Sequence, residues 1–183
     1  MSLTISVIKN ASPDLRSELK EFSDSNWGDH VDNSSEILLN FFLPFDIAIL
    51  AKDGDVDVGL IEIFFKKNIV FGKGTTNVGG IGGVVVHKDY RHQKIATKML
   101  SKVLEVLSRE KFDIAMLCTD IKRLGVLYEK VGFVPLGRKY LFFDKNGKLK
   151  EETGGMIAEI DSKKMFDQIL HSKRIINLGR GNF

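Results

Sequence analysis

The feature that most constrains this chain is a change of hydrophobic period at one place. Thr76 to Val86 read as a long glycine-rich strand closing on three valines, and His87 to Arg91 form a polar turn. From Lys94 to Glu110 the period becomes helical, with Ile95, Met99, Leu100, Val103, Leu104 and Leu107 on one face. A strand that turns into an amphipathic helix must lay that helix back on its sheet, so a layered α/β or α+β structure follows. The turn also carries chemistry. The first N–H groups of a helix have no partner within it, and the helix dipole places positive potential there. Such a terminus holds phosphate oxyanions through the backbone. Arg91, His92 and Lys94 add donors and positive charge.

The flanking sequence supplies the rest of the layers. Thr4 to Ile8 alternate as a first strand. Ser12-Pro13-Asp14 is an N-cap with proline at the first helical position, opening a helix through Leu15, Leu19 and Phe22. Ser23 to Ser35 read as a polar loop, and Glu36 to Leu43 as a short helix closed by Pro44. Asp46 to Lys52 and Val56 to Lys66 are strands joined at Asp53-Gly54. Asn68 to Phe71 extends the sheet to a hairpin turn at Gly72-Lys73-Gly74. Phe112 to Cys118 is a short buried strand. Ile121 to Lys130 is a helix ended by Gly132. Phe133 to Phe143 and Met156 to Ile160 are two more strands, separated by a long turn from Asp144 to Gly155, and a short tail follows.

At 183 residues the chain has room for one domain with a substantial core, taken as 1–183. No apolar run reaches the roughly 18–20 residues of a membrane span, and no secretion signal is evident, so no membrane partner is expected. A single cysteine, Cys118, excludes an internal disulfide and fits a reducing cytoplasm. The four histidines are scattered, with no metal-ligand spacing. A net charge of +3 is too small to argue for nucleic acid. The front is acidic, with seven acids and two bases between Asp14 and Glu36. It is either a solvated helix face or a lure for a cationic substrate.

Two motifs resemble the GNAT acetyltransferase superfamily. Arg91-His92-Gln93-Lys94-Ile95-Ala96 resembles its Arg/Gln-x-x-Gly-x-Gly/Ala loop, and Leu127-Tyr128-Glu129-Lys130-Val131-Gly132-Phe133 resembles its Leu-Tyr-x-x-x-Gly-Phe signature one strand and one helix later. The resemblance spans roughly Ile5 to Ile160. It implies a mixed, mostly antiparallel central sheet flanked by helices. In it, Thr76–Val86 and Phe112–Cys118 lie parallel and splay at their C-terminal ends. It implies acetyl-CoA as cosubstrate, a small-molecule amine acceptor, and a monomer or homodimer. Val84 and Val86 would hold the pantetheine arm. Arg91, His92, Gln93, Lys94, Ile95, Ala96 and Thr97 would hold the pyrophosphate. Lys94 stands where the family has glycine, and with a negative φ it would still donate its N–H. Tyr128 matches the family's general acid; its other reading is a core aromatic.

The family's strand glutamate is absent, because Ile81-Gly82-Gly83 occupies its place. Glu62 acting through water, His87, Asp120 or no dedicated base remain open. The run Gly79, Gly80, Gly82 and Gly83 marks either a close approach of ligand or a β-bulge. The layout is also similar to aminoglycoside 2′-N-acetyltransferases, which would give Asp24, Asp29, Asp32 and Glu36 a role in binding a cationic substrate. A non-catalytic acyl-CoA-binding module is the remaining alternative.

Overall fold

A computed structural model describes residues 2–26 and 44–183. The proposed helix from Glu36 to Leu43, and the candidate substrate residues Asp29, Asp32 and Glu36, lie outside the described residues.

Seven strands form one sheet in the order β1-β2-β3-β4-β5-β9-β6. These are β1 (Leu3–Lys9), β2 (Ile47–Asp53), β3 (Val56–Phe71), β4 (Gly74–Val86), β5 (Ile114–Cys118), β6 (Val134–Pro135) and β9 (Gly155–Glu159). All neighbours pair antiparallel except β4 and β5, which run parallel. A second sheet joins β7 (Tyr140–Phe143), β8 (Leu149–Glu152) and β10 (Asn177–Arg180) in the order β10-β7-β8. The helices are α1 (Pro13–Asn26), α2 (Ile95–Arg109), α3 (Ile121–Glu129) and α4 (Lys163–His171).

Each face of the large sheet has its own core. One gathers Leu19 of α1, Ile169 of α4, and Tyr140, Phe142 and Leu178 of the small sheet over Leu60, Phe64 and Val78. The other gathers α2 and Tyr128 of α3 over Ile61, Ile63 and Ile81. Ile95, Met99, Leu100, Val103, Val106 and Leu107 of α2 are all buried. At about 1.5–3 kcal/mol for each large apolar side chain, that stripe fixes the helix against the sheet.

Four expectations need correction. First, α1 runs on to Asn26, because Ser25 and Asn26 turn their side chains back to the carbonyls of Glu21 and Phe22. Polar residues that look like loop therefore finish the helix. Second, β3 is one strand through Phe71, with a register shift between Lys66 and Ile69 and Asn68 at φ +56. Third, Phe133 to Phe143 is two strands in two sheets. Gly137, at φ +70, breaks it, and the Arg138 guanidinium pins the corner to the carbonyls of Leu136, Ile169 and Leu170. Fourth, the region after Asp144 holds β8, α4 and β10, where the sequence reading had a turn and a tail around one strand. The hairpin at Lys145–Lys148 is as expected, with Asp144 accepting from the amides of Asn146 and Lys148.

Candidate active site

β4 and β5 pair only from Val78 to Ile81 against Ile114 to Leu117. Beyond that point β4 continues to Val86, while β5 ends at Cys118 and turns into α3. The sheet therefore has a gap between two parallel strands at their C-terminal ends. One edge of β4 stays paired to β3 across this gap, since Gly59 faces Val86 and Leu60 faces Val85. The His87 amide donates to the Val58 carbonyl at 3.0 Å, on the β3 side. Strand alternation then turns the amides of Val84 and Val86 to the opposite edge, into the gap.

A bulge sets the shape of that edge. Leu60 faces Val85 but Glu62 faces Gly82, so β4 carries one extra residue, and Gly83 at φ +56 absorbs it. Of the two readings of the glycine run, the bulge holds, at Gly83. The close approach expected of a ligand is made at Gly80 and Gly82 by the chain's own Phe183. A Cβ on Gly82 would lie 2.8 Å from the Phe183 backbone, and one on Gly80 would overlap the Phe183 ring.

Past Val86 the chain makes a 3₁₀ turn, Lys88–Tyr90, and enters α2. Arg91 braces this loop, its Nε donating to the Val86 carbonyl at 3.2 Å and its guanidinium reaching the Asn26 carbonyl of α1 at 2.9 Å. His92 and Lys94 both take positive φ, +63° and +61°. Among the described residues, no amide from His92 to Thr97 donates an internal hydrogen bond. Six consecutive backbone donors thus surround a helix N-terminus beside the open edge of β4. This arrangement fits a pyrophosphate.

Tyr128 is buried in α3, edge-on to Phe133 at 6.2 Å between centroids. Burial is the main cause that raises its pKa, so the phenol is held protonated. The Thr119 side chain, just past the last β4–β5 pair, acts on its hydroxyl in the opposite direction and lowers its pKa. Glu62 stands on β3, the neighbour of β4 on the side away from the gap. Its carboxylate lies against Gly83, where an added Cβ would be 2.8 Å from Oε2. Burial is the largest cause that raises the Glu62 pKa. Asp24 adds to this, while Arg16 and Lys20 oppose it. A carboxylate from the neighbouring strand therefore stands beside the bulge, where β4 itself carries none.

A model of the acetyltransferase (GNAT) family matches residues 12–133. The chain belongs to this family. Solved structures share the fold at low identity. ElaA of Escherichia coli is 19% identical, with a TM-score of 0.58 over 86% of this chain and 99% of that one. A NatC complex bound to Gag peptide and CoA gives 19% and 0.55 over 87% and 99%. A probable N-acyltransferase from Enterococcus faecalis gives 11% and 0.59 over 76% of this chain. The present chain spans only 34% of that protein's length. No curated protein sequence matches.

Within the GNAT loop, the condition of a negative φ at Lys94 is not met. The lysine adopts the left-handed conformation, φ +61 and ψ +18, and its side chain is exposed. Two of the open base candidates are otherwise engaged. His87 Nδ1 accepts from the Asp89 amide, and Asp120 caps α3 by accepting from the Arg123 amide at 3.3 Å. Asp24 pairs with Lys20 on the exposed side of α1, and its charge is felt at Glu62.

The sequence reading gives Cys118 and Tyr140 no place in the site and treats the final residues only as a tail. Tyr140 is fully buried, donates to Asn182 Oδ1 at 2.9 Å and stacks on Phe183. The buried Lys66 ammonium donates to the carbonyls of Arg180 and Gly181, tying this segment down. The glycine run was the only signal, since a strand face without side chains invites a neighbour to fill it.

Among the described residues, no group of three His, Cys, Asp or Glu side chains is placed to hold a metal. No described helix is long and apolar enough to cross a membrane.

Proposed function

We propose that this GNAT protein transfers an acetyl group from acetyl-CoA directly to a primary amine of a small molecule. The observation that carries this reading is the alignment of three parts along one gap. The unpartnered amides of His92 to Thr97 lie at one end. The Val84 and Val86 amides run along the β4 edge. Tyr128 stands on α3, which follows β5, and Glu62 lies against the Gly83 bulge of β4. The amides take the pyrophosphate, the strand edge takes the pantetheine arm, and the thioester is thereby delivered to the gap.

The chemistry balances with these groups. Glu62, through a water, takes a proton from the acceptor ammonium. The freed amine nitrogen bonds to the thioester carbonyl carbon, and a strand amide polarises the carbonyl oxygen. The carbon–sulfur bond breaks, Tyr128 supplies a proton to the departing sulfur, and the second proton of the acylated nitrogen returns to the Tyr128 phenolate through solvent. The products are an acetamide and free CoA.

A covalent route through the protein is disfavoured. The Cys118 thiol is pushed up to about 11, chiefly by burial, so it stays protonated at neutral pH and is a poor nucleophile. The test is thioester consumption with a panel of amines that includes spermidine and an aminoglycoside. Amine-dependent release of CoA, matched by acetylated amine, is expected. Tight acetyl-CoA binding with no amine-dependent release would make the chain a binding module instead.

A further inference from the structure

We propose that Phe183 is a positioning residue for the transfer: seated in the side-chain-free face of β4, it holds the Arg180–Phe183 segment as a wall that shields Glu62 from bulk water. This role rests on the transfer reading above and adds what sets the environment of its base.

The wall is placed by β4. Strand alternation puts Gly80 and Gly82 on one face, and Phe183 covers both. A Cβ at Gly80 would lie 2.3 Å from Cδ1 of the ring, and one at Gly82 would lie 2.8 Å from the Phe183 carbonyl carbon. Glu62 is the register partner of Gly82. Residues opposite each other in an antiparallel pair share a face, with Cβ positions about 5 Å apart. The Phe183 backbone therefore stands beside the Glu62 side chain. The Phe64 ring, 3.1 Å from the same Gly82 position, stands with it.

Every residue of the segment has its own anchor. The buried Lys66 ammonium donates to the Arg180 carbonyl and, at 3.0 Å, to the Gly181 carbonyl. Among the described residues it joins no ion pair, so this buried charge is satisfied by the segment. The Gly181 amide donates to the Phe143 carbonyl at 2.7 Å, and the Tyr140 hydroxyl to Asn182 Oδ1 at 2.9 Å. Asn182 and Phe183 are both buried. The charges acting on Glu62 come from α1, where Asp24 raises its pKa and Arg16 and Lys20 lower it, and burial outweighs all three. On the flanking strands, β2 sets Ala48 opposite Glu62 and β4 sets glycines there. The Arg180 guanidinium is engaged with the Lys145 carbonyl at 3.1 Å. Unseating the segment therefore changes Glu62 by letting water reach it.

The experiment compares wild type with three variants. Phe183→Ala vacates the seat, and Phe183→Leu keeps most of its apolar volume. Gly80→Ala leaves the Phe183 side chain whole and puts a methyl where the ring sits. The first readout needs no turnover: a pH titration of the Glu62 side-chain carboxyl by carbon-13 NMR, assigned with Glu62→Gln. Phe183→Ala and Gly80→Ala should lower the Glu62 pKa by about half to one pH unit, toward the ordinary carboxylate value. Phe183→Leu should stay near wild type. The second readout is the acidic limb of the kcat/KM profile, which should fall by the same amount in the same two variants. Gly80→Ala decides the question where Phe183→Ala does not fold. A ring that only fills the core would lower Tm in these variants and leave both readouts in place, which overturns the positioning role. If Glu62→Gln leaves the acidic limb unchanged, the base of the transfer reading falls, and the positioning role falls with it. If the limb belongs to Glu62 and its pKa stays unmoved in the folded variants, the positioning role falls alone.

Discussion

Lys94→Gly should make this protein more stable, and the gain can be worked from one dihedral angle. Lys94 is the N-cap of α2 and sits at φ +61. A residue with a Cβ pays about 1–2 kcal/mol in that conformation, and glycine does not. Glycine also loosens the unfolded chain, which takes back about 0.4–1 kcal/mol. The net gain is about 0.5–1 kcal/mol. For a chain of this length, that raises Tm by about 1–4 °C. Lys94→Ala is the control, because it removes the same ammonium and keeps the Cβ, and its Tm should not rise. If the backbone amides carry the phosphates, both variants should also keep acetyl-CoA affinity within a few-fold of wild type. The assay is thermal unfolding of all three proteins without ligand, followed by calorimetric titration of acetyl-CoA. A Lys94→Gly protein that melts at or below wild type refutes the strain argument, as does an equal rise in Lys94→Ala.

Tyr128→Phe keeps the ring and loses the hydroxyl near Thr119. Turnover should fall by about 10²–10⁴-fold and Tm by no more than a few degrees, whereas a purely structural tyrosine would show near-normal turnover in steady-state kinetics. Glu62 works as a base only when ionised, and burial raises its pKa. The acidic limb of a kcat/KM profile should therefore lie above the usual carboxylate range of about 4.3, and Glu62→Gln should abolish it. Lys66 is lowered to about 8 by burial from an ordinary value of 10.5, so above pH 8 the unfolded chain holds more protons than the folded one. Stability should rise by about 1 kcal/mol between pH 8 and 9, and level off above 9, where the raised Cys118 thiol acts in the opposite direction. Urea titrations at both pH values should show the rise in wild type and none in Lys66→Met.

The legible parts of this sequence are those where local pattern and tertiary role coincide. The α2 stripe, the Ser12-Pro13 cap and the hairpin at Gly72-Lys73 each follow from side-chain spacing or backbone preference. The phosphate loop was legible for the same reason, since it is the end of the most periodic helix. Glu62 was visible as a candidate, but its position was not. That depends on the bulge at Gly83, where one extra residue brings a β3 carboxylate to β4. The small sheet was hidden because β7, β8 and β10 have four residues each, and β7 finds its parallel partner β10 more than thirty residues later. Short strands with distant partners leave no period to read. Phe183 was hidden likewise, since its burial depends on glycines a hundred residues earlier.

The central claim is direct acetyl transfer to an amine in the β4–β5 gap. A single-turnover experiment with acetyl-labelled acetyl-CoA, excess protein and an active amine tests it most directly. After acid quench, the label should pass from CoA to the amine in step with thiol release, with none held on the protein at any time. Label that accumulates on the protein before it reaches the amine, or thiol release without a labelled amine, would contradict the account.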